Sequence, residues 1–168
     1  LLLLSCLCGC GSSTDSAKKA QVKTKNEEQT TGEKQDDRQI DLYYLNAQED
    51  GFKKVSYNLS NPDSPLKASY EVIYKLSDTE SNNTNEYKAS IFDGIVINEI
   101  TLERGKENID FGGSYGQLSH VKEVLLRTSV VKSLLQIKGI EGITFSVNGS
   151  SLLDTDKVPV GLMDSSTI

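Results

Sequence analysis

Residues 112–116 read Gly-Gly-Ser-Tyr-Gly, which is the spacing of the nucleophile elbow of serine hydrolases. The motif lies between a predicted strand and a predicted helix, the context in which the Ser114 hydroxyl could act as a nucleophile. Such a serine needs a histidine base. The single histidine of the sequence, His120, follows early in the next predicted helix rather than on a loop after a later strand. The sequence therefore favours a glycine-rich turn before a helix over a hydrolase site.

Other patterns that could indicate catalysis are equally weak. A Ser-x-x-Lys pattern starts three times within residues 40–168, at Ser64, Ser119 and Ser129. The Ser-Asp-Asn and Lys-Thr-Gly elements of penicillin-recognising enzymes do not accompany it, so it is at chance level. Asp110 lies on an alternating strand and is predicted to face solvent. We therefore expect no catalytic residue, no cofactor and no metal site, and we predict that the protein is not an enzyme.

The three cysteines of the sequence are Cys6, Cys8 and Cys10. Their close spacing suits a disulfide poorly, and a metal site would need a fourth ligand from the distant His120. Residues 1–10 instead form a short apolar run ending in Leu-Cys-Gly-Cys, which resembles the lipobox of bacterial lipoproteins. We predict that Cys10 carries the lipid, because a glycine precedes it and a polar segment follows it. Cys6 is the alternative.

Residues 11–39 are polar and contain six basic and six acidic side chains. So few apolar groups cannot offset the entropy of ordering the chain, so we predict a disordered tether with a root-mean-square span of about 30 Å. Residues 1–10 would be the remainder of a lipoprotein signal peptide. Because the sequence begins without Met or a basic region, we expect further residues before Leu1. These features predict a lipid anchor on the extracytoplasmic face of the cell membrane.

The formal net charge of −6 rests entirely on residues 40–168, since the preceding segment is balanced. An acidic domain is repelled by nucleic acid and by anionic polymers, and the sequence contains no basic patch with interleaved aromatic residues. We therefore exclude nucleic acid as a partner. A basic protein partner is compatible with this charge.

The first half of the domain reads as a hairpin and a helix. Residues 40–46 alternate between apolar and polar, and a turn joins them to a second predicted strand over 52–59. Ser64 as N-cap and Pro65 as first helical residue predict a helix over 65–77. Helical spacing predicts that its buried face comprises Leu66, Tyr70, Ile73 and Leu76.

A loop over 77–87 leads to a second predicted hairpin, with arms at 95–102 and 108–111. Its alternation predicts that one face buries Ile100, Leu102, Ile109 and Phe111. The opposite face would expose Glu99, Thr101 and Glu103.

A second helix is predicted over 117–137 and is followed by a strand over 142–149. Its apolar stripe would comprise Leu118, Val121, Leu125, Val131 and Leu135. Residues 158–160 would add an edge strand. The order β-β-α-β-β-α-β indicates an α+β fold, in which a small mixed sheet of two hairpins and a final strand carries two helices on one face.

These elements resemble the GerMN domain of the sporulation and spore-germination lipoproteins of Gram-positive bacteria. The resemblance rests on Leu-Tyr-Tyr at 42–44, on the hairpin over 95–111 that ends in Ile-Asp-Phe, and on Ile-Thr-Phe-Ser-Val-Asn-Gly at 143–149. It covers about residues 40–160. It implies a fold like the ring-building motif of sporulation secretion complexes. It also implies scaffolding or partner binding at the cell envelope, without cofactor or catalysis.

Two functions follow from these observations. The leading hypothesis is a membrane-tethered interaction or scaffold domain of the cell envelope, whose partners would include envelope or sporulation proteins. The alternative is a lipoprotein that binds a small ligand such as a cell-wall fragment. That alternative requires a cleft lined by tyrosines, with these candidates: Tyr43, Tyr57, Tyr70, Tyr74 and Tyr115. The oligomeric state does not follow from the sequence.

Overall fold

The computed structural model describes residues 38–78 and 85–168. The predicted lipidation sites, Cys10 and the alternative Cys6, lie outside the described residues, as does nearly all of the predicted tether. The described elements, in chain order, are β1 (Gln39–Asn46), β2 (Phe52–Asn58), α1 (Pro65–Ser77), β3 (Tyr87–Lys88), β4 (Ile97–Glu103), β5 (Lys106–Phe111), a 3₁₀ helix (Gly113–Gln117), α2 (His120–Leu134), β6 (Gly142–Val147) and β7 (Ser150–Ser151).

The first sheet has the strand order β2-β1-β3. β1 and β2 form the predicted antiparallel hairpin, in register from Gln39 opposite Asn58 to Leu45 opposite Phe52. The two-residue strand β3 pairs with the end of β1 and was not predicted, because a strand of this length leaves no alternation to detect.

The second sheet has the strand order β4-β5-β6-β7. β4 and β5 form the second predicted hairpin, and β6 lies parallel to β5. A parallel partner requires a crossover connection, which the 3₁₀ helix and α2 supply. The α+β class is thus confirmed, whereas the strands divide into two sheets rather than the one sheet expected.

The faces of the second hairpin are those predicted. Ile100, Ile109 and Phe111 are buried, and Leu102 is partly buried against the same core. Residues 99, 101 and 103 are exposed. The edge strand predicted over 158–160 is wrong, since a single isolated bridge, between Leu153 and Pro159, forms there. A proline has no N–H for a strand ladder.

α1 spans the predicted residues, but its buried face differs from the prediction. The buried residues are Ala68, Ser69, Val72, Ile73 and Leu76. Leu66 and Tyr70 are exposed, because the small side chains of Ala68 and Ser69, rather than the large ones, face the core.

α2 is shorter than predicted, and its apolar stripe was predicted correctly only in part: Val131 is buried, and Leu118 and Leu135 pack against the core. Residues 113–117 form a 3₁₀ helix, and α2 begins after Ser119, whose hydroxyl accepts a hydrogen bond from the Lys122 N–H at 3.4 Å. Val121 is 65% exposed. The buried face instead combines Leu126, Val130, Val131 and Leu134 with Ser129 and Ser133.

The buried polar residues of α2 complete the first sheet. β3 pairs only with the end of β1, so Asp41 and Tyr43 face α2 at this edge. Gln136 accepts from the Asp41 N–H at 2.9 Å and donates to its carbonyl at 2.7 Å. Ser133 accepts from the Tyr43 N–H at 3.0 Å, and Ser129 donates to the Tyr43 carbonyl. We call these four bonds the edge contact. β3 is too short to pair with this part of β1. The edge contact therefore supplies hydrogen-bond partners for backbone groups that would otherwise be unpaired.

A single hydrophobic core joins the two sheets and both helices. It includes Leu42 of β1, Val72 of α1, Phe111 of β5, Leu126 of α2 and Ile143 of β6, all fully buried or nearly so. Within residues 38–78 and 85–168, no helix combines the length and apolar character that crossing a membrane requires.

Candidate functional site

The structure does not assemble the serine site that the motif at 112–116 suggested. Ser114 lies in the 3₁₀ helix, and its Oγ is buried without a hydrogen-bond partner among the described residues. The His120 side chain is 59% exposed at the start of α2, where its Nδ1 lies 3.8 Å from Glu123 Oε2. A nucleophilic serine requires a base within hydrogen-bond reach. Ser114 and His120 therefore form no catalytic pair.

The neighbouring Tyr115 lies in a buried polar cluster. Its ring is 2% exposed and stacks on Phe111, with the ring centroids 4.5 Å apart. Burial raises the pKa of the Tyr115 hydroxyl, and the charge of Glu123 raises it further. Arg127 Nη2 lies 3.5 Å from Glu123 Oε1 within α2. The Tyr115 hydroxyl has no hydrogen-bond partner among the described residues, and the ring packs in the core, which is a structural role. Within the described ranges, no cluster of at least three His, Cys, Asp and Glu side chains is suited to hold a metal ion.

A polar network covers the open face of the second sheet. Asp110 of β5 accepts three hydrogen bonds: Oδ1 from Ser146 Oγ and from the Gly149 N–H, both at 2.7 Å, and Oδ2 from Asn98 Nδ2 at 2.8 Å. The β-bulge between Ile97 and Glu99 brings the Asn98 side chain to this carboxylate. Asp110 was predicted to be merely solvated. Its donors instead tie together β4, β5 and the turn after β6.

Replacing Asp110 by alanine should destabilise the protein by about 1–2 kcal/mol at neutral pH, because three donors lose their acceptor. The hydrogen bonds from Ser146, Asn98 and Gly149 hold the pKa of Asp110 below its ordinary value of 3.8. The ionised carboxylate therefore stabilises the fold at neutral pH, and this contribution is lost as the pH falls below about 4. Urea unfolding of both proteins at neutral and acid pH measures the difference. An equal difference at both pH values would contradict this role.

The most deeply buried ionisable group is Glu107 of β5, which is 0% exposed. Ser69 Oγ of α1 lies 2.6 Å from Glu107 Oε2, while Oε1 has no hydrogen-bond partner among the described residues. Burial raises the pKa of the Glu107 carboxyl from 4.5 to about 7, although the bond to Ser69 lowers it in part.

The hydrogen bonds around Ser69 fit a protonated Glu107. Ser69 Oγ also lies 3.0 Å from the Pro65 carbonyl, and one hydroxyl proton cannot serve both acceptors. If the Glu107 carboxyl carries a proton, it donates to Ser69 Oγ, and Ser69 donates to Pro65. No charged group of the described residues contributes to the pKa of this carboxyl, and the residue has no exposed surface. We therefore regard Glu107 as a buried acid of the core rather than a binding residue.

The five tyrosines proposed for a ligand cleft do not converge. Tyr115 is buried, and Tyr57 donates to Glu71 Oε1 at 2.6 Å. Tyr43 packs edge-to-face against Phe52, away from the others. Only Tyr70 and Tyr74 of α1 share a surface.

That surface is a groove between α1 and β4, with a volume of about 260 Å³. We call it the α1–β4 groove. Tyr70 and Tyr74 on its helix side are 48% and 65% exposed. The other lining residues are mostly isoleucines: Ile73, Ser77, Ile91, Ile95, Ile97 and Ile100. A concave apolar surface flanked by exposed aromatic rings is typical of a site that binds an apolar group.

A second concavity, of about 470 Å³, lies on the open face of the second sheet. Its lining contains both charges and no aromatic ring: Thr101, Glu103, Arg104, Lys106, Asn108 and Thr144. Asn108 and Thr144 already hydrogen-bond each other at 3.1 Å. Half of this lining is polar, whereas the lining of the α1–β4 groove is mainly apolar, so the groove is the stronger candidate for binding an apolar group.

Sequence reasoning missed the features that shape this groove. Tyr70 and Ile73 were assigned to one buried face, although Tyr70 faces the groove. The sequence signal was the run of isoleucines at positions 91, 95, 97 and 100, which exceeds what one strand face can bury. Glu107 carried no signal, because a glutamate on a strand normally faces water.

The fold and its surfaces define a small α+β domain with two sheets, two helices and an apolar groove. The chain belongs to the Germane family, described as sporulation and spore germination, whose model matches residues 41–153. This confirms the resemblance to the GerMN domain.

Two solved structures share the fold. The first GerMN domain of the sporulation protein GerM from Bacillus subtilis is 15% identical, with a TM-score of 0.61, over 76% of this chain and 98% of that one. The tandem GerMN domains of the same protein are 15% identical, with a TM-score of 0.58, over 75% of this chain and 45% of theirs. No curated protein matches the sequence significantly. Fold alone does not determine function.

Proposed function

We propose that this protein is a lipid-anchored interaction domain on the extracytoplasmic face of the cell membrane, which binds an envelope or sporulation protein and catalyses no reaction. The α1–β4 groove carries the proposal, because it exposes aromatic and aliphatic side chains that a protein partner would cover. Membership of a family described by sporulation and spore germination supports this setting. The separation of Ser114 from a base supports a binding role without catalysis.

The proposed lipid anchor can be tested at the two candidate cysteines, Cys10 and Cys6. Cys10→Ser should abolish lipid attachment and release the protein from the membrane fraction, because the cysteine after the lipobox glycine accepts the lipid. Cys6→Ser is the matched control and should leave both unchanged. Metabolic labelling with an alkyne fatty acid, followed by membrane fractionation, measures both effects. Loss of labelling in Cys6→Ser alone would move the site to Cys6, and labelling of neither cysteine would refute the anchor.

Crosslinking in living cells tests the interaction. The complete lipidated chain should capture a specific envelope or sporulation protein that mass spectrometry identifies. A chain that keeps residues 1–39 but lacks 40–168 is the control, and it should lose this capture. Recovery of the same proteins with both chains would contradict a binding role for the domain.

Binding of a small cell-wall fragment is the second candidate, and the shared surface of Tyr70 and Tyr74 is the observation that favours it. The other three tyrosines lie elsewhere, so the groove offers fewer stacking rings than a sugar site of this kind requires. A titration with soluble muropeptides, monitored through the tyrosine fluorescence, distinguishes this ligand from a protein partner.

A further inference from the structure

The free edge of β4 faces the α1–β4 groove. β4 is the terminal strand of its sheet, and no strand among the described residues pairs with its outer edge. The Ile100 backbone points to this edge, because the Tyr70 hydroxyl accepts from its N–H at 3.3 Å and donates to its carbonyl at 3.4 Å. The backbone N–H and carbonyl of Leu102 point to the same edge, since alternate residues of an antiparallel strand direct their backbone groups to the same side. These long bonds to one flexible hydroxyl are weak, so a partner strand could replace them.

A strand added at this edge would run between β4 and α1. Its side chains would alternate between two faces. Those on the core side would lie beside Ile97, Ile100 and the exposed ring of Tyr74. The apolar lining of the groove therefore favours apolar residues at every second position of the added strand.

The opposite face of the added strand would meet an excess of negative charge. It would lie beside Glu99 and Glu103, which are exposed on the open face of β4. Lys106 of β5 pairs opposite Glu103, and Glu99 lies opposite the acidic Asp110. The whole segment 89–103, which supplies the strand side of the groove, contains three acidic residues and no lysine or arginine. The remaining positions of the added strand should therefore be basic.

The edge of the first sheet at β2 differs in this respect. β2 is the terminal strand of the first sheet and carries Lys53 and Lys54. Lys54 pairs with Asp41 at 2.9 Å, and Lys53 lies 3.8 Å from Glu86. Lysines on an edge strand oppose pairing with another chain. The outer edge of β4, whose strand carries no lysine, is therefore more open to a partner than the outer edge of β2.

We propose that the α1–β4 groove binds an extended segment of a protein partner in which apolar and basic residues alternate, and that this segment adds as a strand to the outer edge of β4. The inference rests on the proposed interaction function and assigns its surface and the chemistry of its partner. Main-chain hydrogen bonds to β4 would supply affinity, and the alternation would supply specificity.

Titration of the complete chain with a synthetic peptide of alternating valine and lysine tests this chemistry. In nitrogen-15 NMR spectra, we expect the Ile100 and Leu102 amides to shift and their hydrogen exchange to slow. A peptide of alternating valine and glutamate is the control and should bind at least about tenfold more weakly. Absence of protection at these amides, or equal affinity for both peptides, would overturn the proposal.

Charge reversal on β4 tests the acidic side of the site. Glu99→Lys with Glu103→Lys should weaken binding of the valine–lysine peptide at least about tenfold at low salt and remove most of its salt dependence. The matched control reverses the same number of charges at the exposed Asp50, in the β1–β2 turn, and Asp156, neither of which lines the groove, and should have a much smaller effect. Circular dichroism verifies that both variants fold. If both variants weakened peptide binding equally, the effect would come from the net charge of the protein, and the proposed site on β4 would be refuted.

A photoreactive crosslinker at position 74, in the complete lipidated chain in cells, separates this proposal from the proposed function. The same crosslinker at position 156 is the control. The captured segment should alternate apolar and basic residues. Capture of a second copy, of residues 11–37 of the same chain, or of a segment without this pattern would overturn the groove assignment and leave the interaction function standing. Capture of no specific partner by any crosslinking in cells would refute the interaction function, while the peptide titration would still decide the groove.

Discussion

Replacing Glu107 by glutamine should stabilise the protein at about pH 8 by about 3 kcal/mol more than at low pH, of which less than about 1 kcal/mol should be present at about pH 5. Glutamine has almost the same shape and can bond to Ser69, but it carries no charge. The variant therefore removes only the cost of holding an ionised carboxylate in the core.

The direction of the pH dependence follows from the raised pKa of Glu107. The unfolded chain has the ordinary pKa of 4.5, and the folded protein has a pKa of about 7. Between these values the folded protein holds a proton that the unfolded chain releases, so stability falls as the pH rises through this window. Below about pH 4.5 the Glu107 carboxyl is protonated in both states, and its contribution to the free energy of unfolding is at its maximum. Above about pH 7 the carboxyl is ionised in both states, and that contribution is lost.

Urea unfolding of the wild type and of Glu107→Gln, measured from about pH 5 to pH 8, gives the difference in the free energy of unfolding. Comparison at each pH cancels the titration of the other carboxylates. The matched control is Glu99→Gln, an exposed glutamate on the adjacent strand, which should change stability by less than about 0.5 kcal/mol. A constant difference between wild type and Glu107→Gln across this range would show that Glu107 does not titrate in the window.

The edge contact between α2 and β1 supports the second prediction of large effect. Ser133→Ala should cost about 1–3 kcal/mol, because the Tyr43 N–H loses its partner at a position where Ser133 is fully buried. Alanine is the better helix former by about half a kcal/mol, which offsets only part of this loss. Adding Ser129→Ala removes the donor to the Tyr43 carbonyl and should deepen the destabilisation to about 2–5 kcal/mol.

Chemical denaturation of the single and double variants measures these costs, with the exposed Ser151→Ala of β7 as control. Hydrogen exchange adds a local readout, because the Tyr43 amide should exchange faster in Ser133→Ala than in the wild type. Stability and amide protection equal to those of the wild type would show that water replaces the serine hydroxyl at no cost.

Much of the strand content followed from local pattern. The two hairpins were predicted because period-two alternation over several residues identifies both the strand and its buried face, as with Ile100 and Ile109. β3 was missed because a two-residue strand has no period. The division into two sheets was missed because strand pairing depends on contacts between distant residues, such as Lys106 with Gly142, that no local window contains.

The helix faces were predicted less well, for a related reason. In α2, the stripe that included Val121 was chosen because it is apolar, whereas the true buried face includes Ser129 and Ser133. A serine on a helix normally indicates solvent or a cap. It becomes a core residue here only because an unpaired strand edge lies opposite it. The candidate site shows the same limit: the exposed Tyr70 was assigned to the core, because spacing does not reveal which neighbour a helix face meets.

The sequence by itself determined the α+β class, the hairpins and the acidic character of the domain, since these depend on composition and short-range periodicity. The resemblance to the GerMN family rested on the residues at 42–44, 95–111 and 143–149. The sequence also supplied the predicted lipidation site at Cys10. The tertiary structure alone decided that Ser114 has no hydrogen-bonded base in the described part of the chain, that Glu107 is buried against Ser69, and that isoleucines from 91 to 100 form a groove with Tyr70 and Tyr74. Each of these depends on which groups the fold brings within a few ångströms of each other, and only long-range packing determines that proximity.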